Sequence, residues 1–248
     1  MQDWPFPLWI AHRGAGKLAP ENTLAAFRLG AAYGYRAFEC DVKLSADGVP
    51  FLLHDATLER TSNGQGTAGE RSWSELSRVD AGGWHSRTFA GEPMPTLQAI
   101  AQFVQRNGFE LNIEIKPTPG TEHATGVAVG RACTELWQGR ATPPLFSSFR
   151  PEALQGARES APHIPRALLV DTLWPGWLKV ALALKSVAVV SNHLLMDGEM
   201  RGQLKDAGLR ALCYTVNEPV DAERLLALDI DGIITDAVDR FSPASPGL

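Results

Sequence analysis

The chain has 248 residues, of which 44% are hydrophobic and 21% charged, which excludes disorder, collagen and coiled coil as descriptions of the whole chain. At this length, a barrel or large α/β domain is usually a single unit. The formal net charge of −5 excludes a nucleic-acid binder held by overall electrostatic attraction, although it leaves room for a local basic pocket that binds a small phosphate.

The sequence carries no signal for export or membrane insertion. Its first apolar run, Leu8–Ala11, is too short for a signal peptide and follows no basic segment. No stretch approaches the ~18 apolar residues that span a bilayer. The three cysteines, Cys40, Cys133 and Cys213, are widely spaced, which predicts buried reduced thiols rather than disulfides or a CxxC metal site. These features predict a cytoplasmic protein without a membrane anchor.

Short apolar runs alternate with helical patterns along almost the whole chain. The runs that predict β-strands are Leu8–His12, Ala37–Val42, Leu111–Lys116, Pro144–Ser148, Arg166–Val170, Val187–Ser191, Arg210–Val216 and Gly232–Thr235. Further helices are predicted to begin near Thr96, Thr121, Pro151, Pro175, Glu199 and Glu218. This alternation predicts an α/β fold of the (β/α)₈ TIM-barrel type. An open doubly wound sheet is the alternative, but it would usually have fewer strands and a GxGxxG turn.

The first predicted helix has clear boundaries. Asn22 is of a residue type that caps helices, Leu24, Phe27 and Ala31 form an apolar face, and Gly34 can end the helix.

One segment breaks the alternation. Asp55–Pro95 contains recurring glycines and no long periodic helix, and a structureless loop of this length is unusual inside a compact domain. We therefore predict one domain over residues 1–248, with residues 55–95 as a small insertion subdomain after the second strand. A short helix is predicted around Trp73, Leu76 and Val79, which lie three residues apart.

Polar side chains share one face on two of the predicted strands. Side chains alternate along a strand, so Glu39 and Asp41 lie on one face, and Asn112, Glu114 and Lys116 lie together on another. The opposite, apolar faces should meet the helices. The polar faces should therefore point into the barrel near the carboxyl ends of its strands, where barrel active sites lie.

Three carboxylates that converge in this way need a partner. At ~4 Å and an effective dielectric near 20, each like-charged pair costs about 4 kcal/mol. Either one carboxylate takes up a proton or a divalent cation binds, and oxygen ligands suit Mg²⁺, Ca²⁺ or Mn²⁺ better than zinc. The alternative is that Glu39 and Asp41 form ordinary ion pairs with Arg36, Lys43 or Lys116.

Two histidines end strands in the same half of the chain. His12 closes the first strand, and His54 closes the short run that follows the carboxylate strand. Histidine titrates near neutrality, so two of them beside carboxylates suggest an acid–base pair. Arg13 and Lys116 add positive charge. Together these residues suit a phosphate ester, whose oxygens bind cations and whose cleavage needs proton transfer.

At this point the sequence resembles the glycerophosphodiester phosphodiesterases over nearly its whole length. Several motifs occur in the family's order and spacing, and together they are specific. They are His12-Arg13-Gly14 with Pro20-Glu21-Asn22-Thr23, Phe38-Glu39-Cys40-Asp41-Val42, Asp47-Gly48-Val49-Pro50 through His54-Asp55-Ala56-Thr57-Leu58, Arg60-Thr61, Asn63-Gly64-Gln65-Gly66, Asn112-Ile113-Glu114-Ile115-Lys116, Ser147-Ser148-Phe149, Tyr214-Thr215-Val216-Asn217 and Asp231-Gly232-Ile233-Ile234-Thr235-Asp236.

The resemblance implies a (β/α)₈ barrel with an insertion that hydrolyses glycerophosphodiesters to sn-glycerol 3-phosphate and an alcohol. It further implies one divalent cation, Mg²⁺ or Ca²⁺ with Mn²⁺ as a further option. The residue roles that it implies are His12 and His54 as the catalytic pair, Glu39, Asp41 and Glu114 as metal ligands, and Arg13 and Lys116 as phosphate contacts.

Four weaker candidates could line the substrate pocket: Asn22, Ser148, Phe149 and Tyr214. For Asn22 a helix cap is a sufficient explanation, and the other three are equally well explained by packing. Tyr214 stands where many family members have tryptophan, so the detail of the pocket is open.

Two alternative functions remain open at this stage. A lysophospholipase D would share the site but prefer a lipid tail, and a non-catalytic binding barrel would share the fold. The predicted partner is a small-molecule glycerophosphodiester, with no nucleic acid. The sequence leaves open the preferred alcohol, the physiological metal, the nucleophile, which histidine is the acid, and whether the protein is a monomer or a homodimer.

Overall fold

The computed structural model describes residues 4–241 and 243. The remaining residues of the predicted 1–248 domain lie outside the described residues. Within the described ranges, no helix combines the length and apolar character needed to cross a membrane.

Eight parallel strands close into a barrel, which confirms the predicted TIM-barrel fold. The strands of the fold are β1 (Trp9–Ala11), β2 (Ala37–Leu44), β3 (Pro50–Leu52), β4 (Glu110–Ile115), β5 (Leu145–Ser148), β6 (Arg166–Val170), β7 (Ala188–Asn192), β8 (Arg210–Tyr214) and β9 (Gly232–Thr235). Closure is made by β1, which pairs in parallel with both β2 and β9. Of the strands in the described residues, β3 alone stands outside the barrel, because it pairs antiparallel with the end of β2.

Helices alternate with the barrel strands as predicted. They are α1 (Leu24–Ala32), α2 (Trp73–Leu76), α3 (Leu97–Asn107), α4 (Glu122–Leu136), α5 (Pro151–Ser160), α6 (Trp177–Ala183), α7 (Gly198–Asp206) and α8 (Pro219–Ala227). They cover the outside of the barrel, except for the short α2, which lies in the segment between β3 and α3. The strand residues that face them, such as Phe38, Cys40 and Val42, are fully buried in the core between strands and helices. The three cysteines are free and buried.

A second apolar cluster fills the amino end of the barrel interior. Phe6, Ile10, Leu145, Leu212 and Ile234 belong to it. Apolar side chains occupy this end of the interior, so the inward-facing polar residues of β2 and β4 lie towards the carboxyl end. The packing of the barrel therefore fixes which mouth carries the polar side chains.

The cap of α1 differs from the sequence prediction. Thr23, not Asn22, caps this helix, and its side chain accepts a hydrogen bond from the backbone N–H of Ala26 at 3.2 Å. Asn22 has a φ of +59°, a left-handed conformation in which asparagine is one of the better-tolerated residues. This turn directs its side chain towards β2 instead. The predicted end of the helix at Gly34 lies close to the observed end, because Gly34 directly follows the C-terminal cap residue Tyr33.

The segment between β3 and α3, where an insertion subdomain is predicted, packs around an apolar cluster that also includes Phe51 of β3 and Leu53. Leu58, Leu76, Ala81 and Met94 are buried members of that cluster. The short helix predicted in this segment is α2, and Trp73, its first residue, packs against the cluster. The segment therefore begins just after β3, next to His54.

Candidate active site

Parallel pairing of β2 with β4 brings the predicted carboxylates together. In the register of these strands, Glu39 lies opposite Asn112 and Asp41 lies opposite Glu114. Ligand oxygens of Glu39, Asp41 and Glu114 all lie within 4.8 Å of one another. All three residues are buried. Strand alternation together with the pairing of β2 and β4 therefore places them on one inward face, as the sequence predicts.

Burial and mutual repulsion act strongly on this cluster. Burial, followed by the charges of Asp41 and Glu114, raises the pKa of Glu39 well above its usual range. Burial and the charge of Asp41 likewise raise the pKa of Glu114 to about 7. Burial also opposes ionisation of Asp41, but Arg13 and Lys116 overcome it and lower its pKa to about 2. Without a cation, the cluster thus favours protonation of its glutamates.

The donor set fits a hard divalent cation. Glu39 Oε1 and Asp41 Oδ1 are buried and have no hydrogen-bond partner among the described residues. Unpartnered buried oxygens are costly, and carboxylate oxygens are the ligands that Mg²⁺ and Ca²⁺ prefer. Glu39, Asp41 and Glu114 could therefore hold a metal ion.

The alternative of ordinary ion pairs is only partly realised. Lys116 Nζ lies 3.0 Å from Glu114 Oε1 and 3.8 Å from Asp41 Oδ1. Lys43 Nζ instead donates to the Lys116 carbonyl at 3.3 Å, and the Arg36 guanidinium lies over the ring of Phe109. One of the three predicted cationic partners, Lys116, therefore reaches the cluster.

We expect Glu114→Gln to stabilise the metal-free protein at about pH 8 and to lose this advantage towards about pH 5. The folded-state pKa of Glu114 lies near 7, above its ordinary value of 4.5. The ionised carboxylate therefore destabilises the folded state fully above pH 7, and this destabilisation fades as the pH falls from 7 towards the ordinary pKa of 4.5. Thermal unfolding in excess chelator at both pH values measures the difference. A wild-type protein as stable as the variant at the higher pH would contradict the prediction.

Asn22 holds Asp41 with both ends of its amide. Its Nδ2 donates to Asp41 Oδ2 at 2.8 Å, and its Oδ1 accepts from the backbone N–H of Asp41 at 3.1 Å. Asn22 is itself buried. It therefore orients a candidate metal ligand, and it is not among the residues that line the cavity between the two histidines.

We expect Asn22→Gly to weaken binding of Ca²⁺ or Mg²⁺ by about 10–100-fold, the loss typical when a group that orients a metal ligand is removed. Glycine tolerates the positive φ of this position, and Thr23 still caps α1, so the fold should persist. Titration calorimetry measures the affinity. Asn107→Ala, which removes an exposed amide on α3 that bonds only the Phe103 carbonyl, is the control. Equal affinities in the two variants would refute the role of Asn22.

His12 is held by a carboxylate at the end of β9. Its Nδ1 lies 2.7 Å from Asp236 Oδ1, and its Nε2 lies 3.7 Å from Glu39 Oε2. The backbone N–H of Asp236 donates to Asn217 Oδ1 at 2.9 Å. Gly16 allows the loop after β1 to approach this point, since a Cβ there would overlap the Asp236 backbone. The Nε2 of His12 is therefore the nitrogen that faces the carboxylate cluster.

His54 has a similar arrangement on the other side of the site. Its Nδ1 lies 2.7 Å from Asp55 Oδ1. Burial, together with the positive charges of Arg13 and Lys116, lowers the pKa of His54 in spite of the nearby carboxylates. In both histidines Nδ1 pairs with a carboxylate, which leaves Nε2 as the nitrogen that can exchange a proton with a ligand.

Arg13 is fixed at the first strand end. Its Nη1 donates to Glu21 Oε1 at 2.7 Å, its Nε lies 3.2 Å from Asp41 Oδ2, and its backbone N–H donates to Glu39 Oε2 at 3.1 Å. Arg13 and Lys116 both line one cavity, here called the central cavity. The two cations therefore flank Asp41 at the wall of this cavity.

The central cavity has a volume of about 160 Å³ and lies between the histidines, the carboxylates and the two cations. It is lined by His12, Arg13, Glu39, His54, Asn112, Glu114, Lys116, Ser147, Phe149, Leu169, Tyr214, Thr215 and Ile234. Of the predicted lining residues, Phe149 and Tyr214 are present. Ser148 is absent because its hydroxyl points away and donates to the Ile115 carbonyl at 2.7 Å. A larger cavity of about 580 Å³ lies at the amino end of the barrel, far from the carboxylate cluster.

Several site residues were not singled out from the sequence. Asp236 could have been found because β9 neighbours β1 in a closed barrel, which brings the residue after β9 beside His12. Ser147 could have been found from strand alternation, since it lies opposite Glu114. Arg60 belongs to one of the motifs that carry the resemblance, but its local sequence does not indicate that it bonds Asp55 and Glu21.

Comparison with known proteins gives a consistent result. The profile described as "Glycerophosphoryl diester phosphodiesterase family" matches residues 12–240. A glycerophosphodiester phosphodiesterase of Caldanaerobacter subterraneus subsp. tengcongensis is 33% identical over 234 residues, which is 92% of this chain and 93% of that protein. An Oleispira antarctica phosphodiesterase, solved in complex with the product sn-glycerol-3-phosphate, superposes with a TM-score of 0.88 at 32% identity over 95% of each chain. A glycerophosphodiester phosphodiesterase from Agrobacterium tumefaciens gives a TM-score of 0.81 at 29% identity, covering 97% of this chain and 100% of that one.

Proposed function

The chain belongs to the glycerophosphoryl diester phosphodiesterase family and is a phosphoric diester hydrolase, and on this premise we propose a cation-dependent mechanism with two histidines. The products would be sn-glycerol 3-phosphate and an alcohol. The observation that carries the proposal is the meeting of three buried carboxylates and two histidine–carboxylate pairs around one cavity.

Charge complementarity supports binding of the diester at this cavity. Glu39, Asp41 and Glu114 would hold one divalent cation, Mg²⁺ or Ca²⁺ with Mn²⁺ as a further option, and the unpartnered oxygens of Glu39 and Asp41 support this. When bound, such a cation supplies positive charge that stabilises the phosphoryl oxygens. Arg13 and Lys116 line the same cavity and would neutralise the remaining negative charge of the diester. An acidic chain can in this way bind an anionic substrate.

The two histidines would carry the proton transfers. One Nε2 accepts the proton of the attacking hydroxyl, and the other donates a proton to the alkoxide that leaves phosphorus. Asp236 and Asp55, which pair with the Nδ1 atoms, fix the ring orientation and stabilise the imidazolium form. The attacking hydroxyl belongs either to water or to the substrate's own glycerol, in which case a cyclic phosphate forms first.

The size of the cavity favours a compact substrate. Its volume of about 160 Å³ lies below the roughly 300–1,000 Å³ of pockets that enclose drug-sized ligands. It therefore supports a glycerophosphate group with a short alcohol over the lipid tail that a lysophospholipase D would accommodate. Two intact histidine–carboxylate pairs argue against the non-catalytic binding barrel.

Release of glycerol 3-phosphate tests the proposal. The purified protein should release it from glycerophosphocholine and glycerophosphoethanolamine faster than it cleaves lysophosphatidylcholine. Preferential turnover of lysophosphatidylcholine would instead support the lysophospholipase D. A phosphodiester of 3-methoxypropan-1-ol, which carries no free hydroxyl, separates the two nucleophiles, because only attack by water can cleave it.

A further inference from the structure

Arg60, which lies in the segment between β3 and α3, donates hydrogen bonds to two carboxylates at the same time. Its Nη1 and Nη2 donate to Glu21 Oε2 and Oε1, both at 2.8 Å. Its Nε donates to Asp55 Oδ2 at 2.6 Å, and its Nη2 also reaches Asp55 Oδ1 at 2.9 Å. The planar guanidinium thus presents one edge to each carboxylate, a geometry that fixes orientation as well as distance.

Each of these carboxylates holds a residue that faces the cavity. Glu21 Oε1 accepts from Arg13 Nη1 at 2.7 Å, and Asp55 Oδ1 lies 2.7 Å from His54 Nδ1. Arg13 is anchored on the barrel through Asp41 and Glu39. The chain of contacts therefore runs from the barrel through Glu21 and Arg60 to the histidine.

We propose that Arg60 is a positioning residue, which braces Asp55 against Glu21 and thereby holds His54 in its reactive orientation. The proposal rests on the function proposed above. Asp55 follows β3 at the start of the insertion, and its hydrogen bonds to Arg60 are the main contribution that lowers its pKa. Arg60 supplies the second fixed point that a carboxylate in a loop otherwise lacks.

The exposure of Arg60 does not argue against this role. Its side chain is 45% exposed, and single ion pairs at such positions contribute little to stability. Paired hydrogen bonds to two carboxylates are the exception, because they restrict the geometry of both partners. The expected consequence is therefore kinetic rather than a large change in folding.

We expect Arg60→Ala to lower kcat by about 10–100-fold, the range typical for residues that orient a group in the site, with KM changed less than about threefold. Lysine cannot present two edges, so Arg60→Lys should recover little. Arg71→Ala is the matched control, since Arg71 lies on the same insertion, is 46% exposed and forms one ion pair within its own helix region, with Glu75. Its kcat should stay near that of the wild type.

Asp55→Asn separates positioning from a general structural effect. If Arg60 acts through Asp55, the double variant Asp55→Asn/Arg60→Ala should lose no more activity than the more impaired single variant. Multiplied losses, or an Arg60→Ala variant as active as the Arg71→Ala control, would overturn the proposal.

The ¹⁵N NMR spectrum of the imidazole gives a readout that needs no turnover. We expect His54 to carry its proton on Nδ1 in the wild type and to mix tautomers in Arg60→Ala, with the signal assigned by its loss in His54→Gln. An unchanged tautomer in Arg60→Ala would contradict the proposal. A wild-type protein that cleaves no glycerophosphodiester would count against the proposed function, whereas the tautomer test of Arg60 would still stand.

Discussion

Replacing His54 by alanine should lower turnover of a glycerophosphodiester by about 10²–10⁴-fold, the contribution of a positioned group that transfers a proton. The side chain borders the central cavity and is about one-third exposed, so its removal leaves no large void in the core. The loss should therefore appear in kcat while the unfolding temperature stays close to that of the wild type. His12→Ala should behave in the same way, because its Nε2 faces the same cavity.

His123→Ala is the control for this prediction. His123 lies on α4, is 53% exposed and pairs with Glu159, so its removal tests the loss of an imidazole away from the site. A His54→Ala variant with the kcat of this control would remove His54 from the catalytic pair.

An aryl leaving group distinguishes the general acid from the general base. A p-nitrophenyl phosphodiester releases an anion that needs no proton, so loss of the general acid costs little with this substrate. One of the two histidine variants should recover most of its activity on the aryl ester, and the other should not. Recovery in both variants, or in neither, would contradict the division of roles.

Replacing Glu39 by glutamine should abolish tight binding of the divalent cation. Glu39 Oε1 is buried without a partner, and a neutral amide brings less negative charge to a cation than a carboxylate does. The loss should exceed the about 10–100-fold that follows removal of a group behind a ligand, and activity should fall with it. Titration calorimetry with Mg²⁺ and Ca²⁺ measures this directly.

Glu110→Gln is the matched control for Glu39→Gln. Glu110 lies at the first position of β4, at the amino end of the strand that carries Glu114. It should leave the cation titration unchanged. If Glu39→Gln also titrates like the wild type, Glu39 is not a ligand.

Most of the fold and of the carboxylate cluster could be predicted from the periodic spacing of apolar and polar residues. The alternation of strands and helices predicted the barrel, and the two-residue repeat along β2 and β4 predicted that Glu39, Asp41 and Glu114 share the interior. Such repeats are visible in sequence because burial acts on every second residue of a strand. Ser148 shows the cost of ignoring the repeat. It is named from the sequence as a candidate for the pocket, whereas its neighbour Ser147 has the inward position opposite Glu114.

Contacts between loops that are distant in the chain could not be predicted from the sequence. Asn22 is of the residue type that caps helices, but its positive φ turns it towards Asp41, and Thr23 takes the cap. Nothing in the local sequence reveals this choice, because both residues favour the same position. Arg60 meets Glu21 across 39 positions of sequence, and such an encounter depends on how the insertion folds back over the barrel.

The most direct test of the account is release of glycerol 3-phosphate from glycerophosphocholine by wild-type protein before and after exhaustive removal of divalent cations. We predict that the stripped protein loses nearly all activity, and that added Mg²⁺, Ca²⁺ or Mn²⁺ restores it in the wild type but not in Glu39→Gln. Full activity in the stripped wild-type protein would contradict the account.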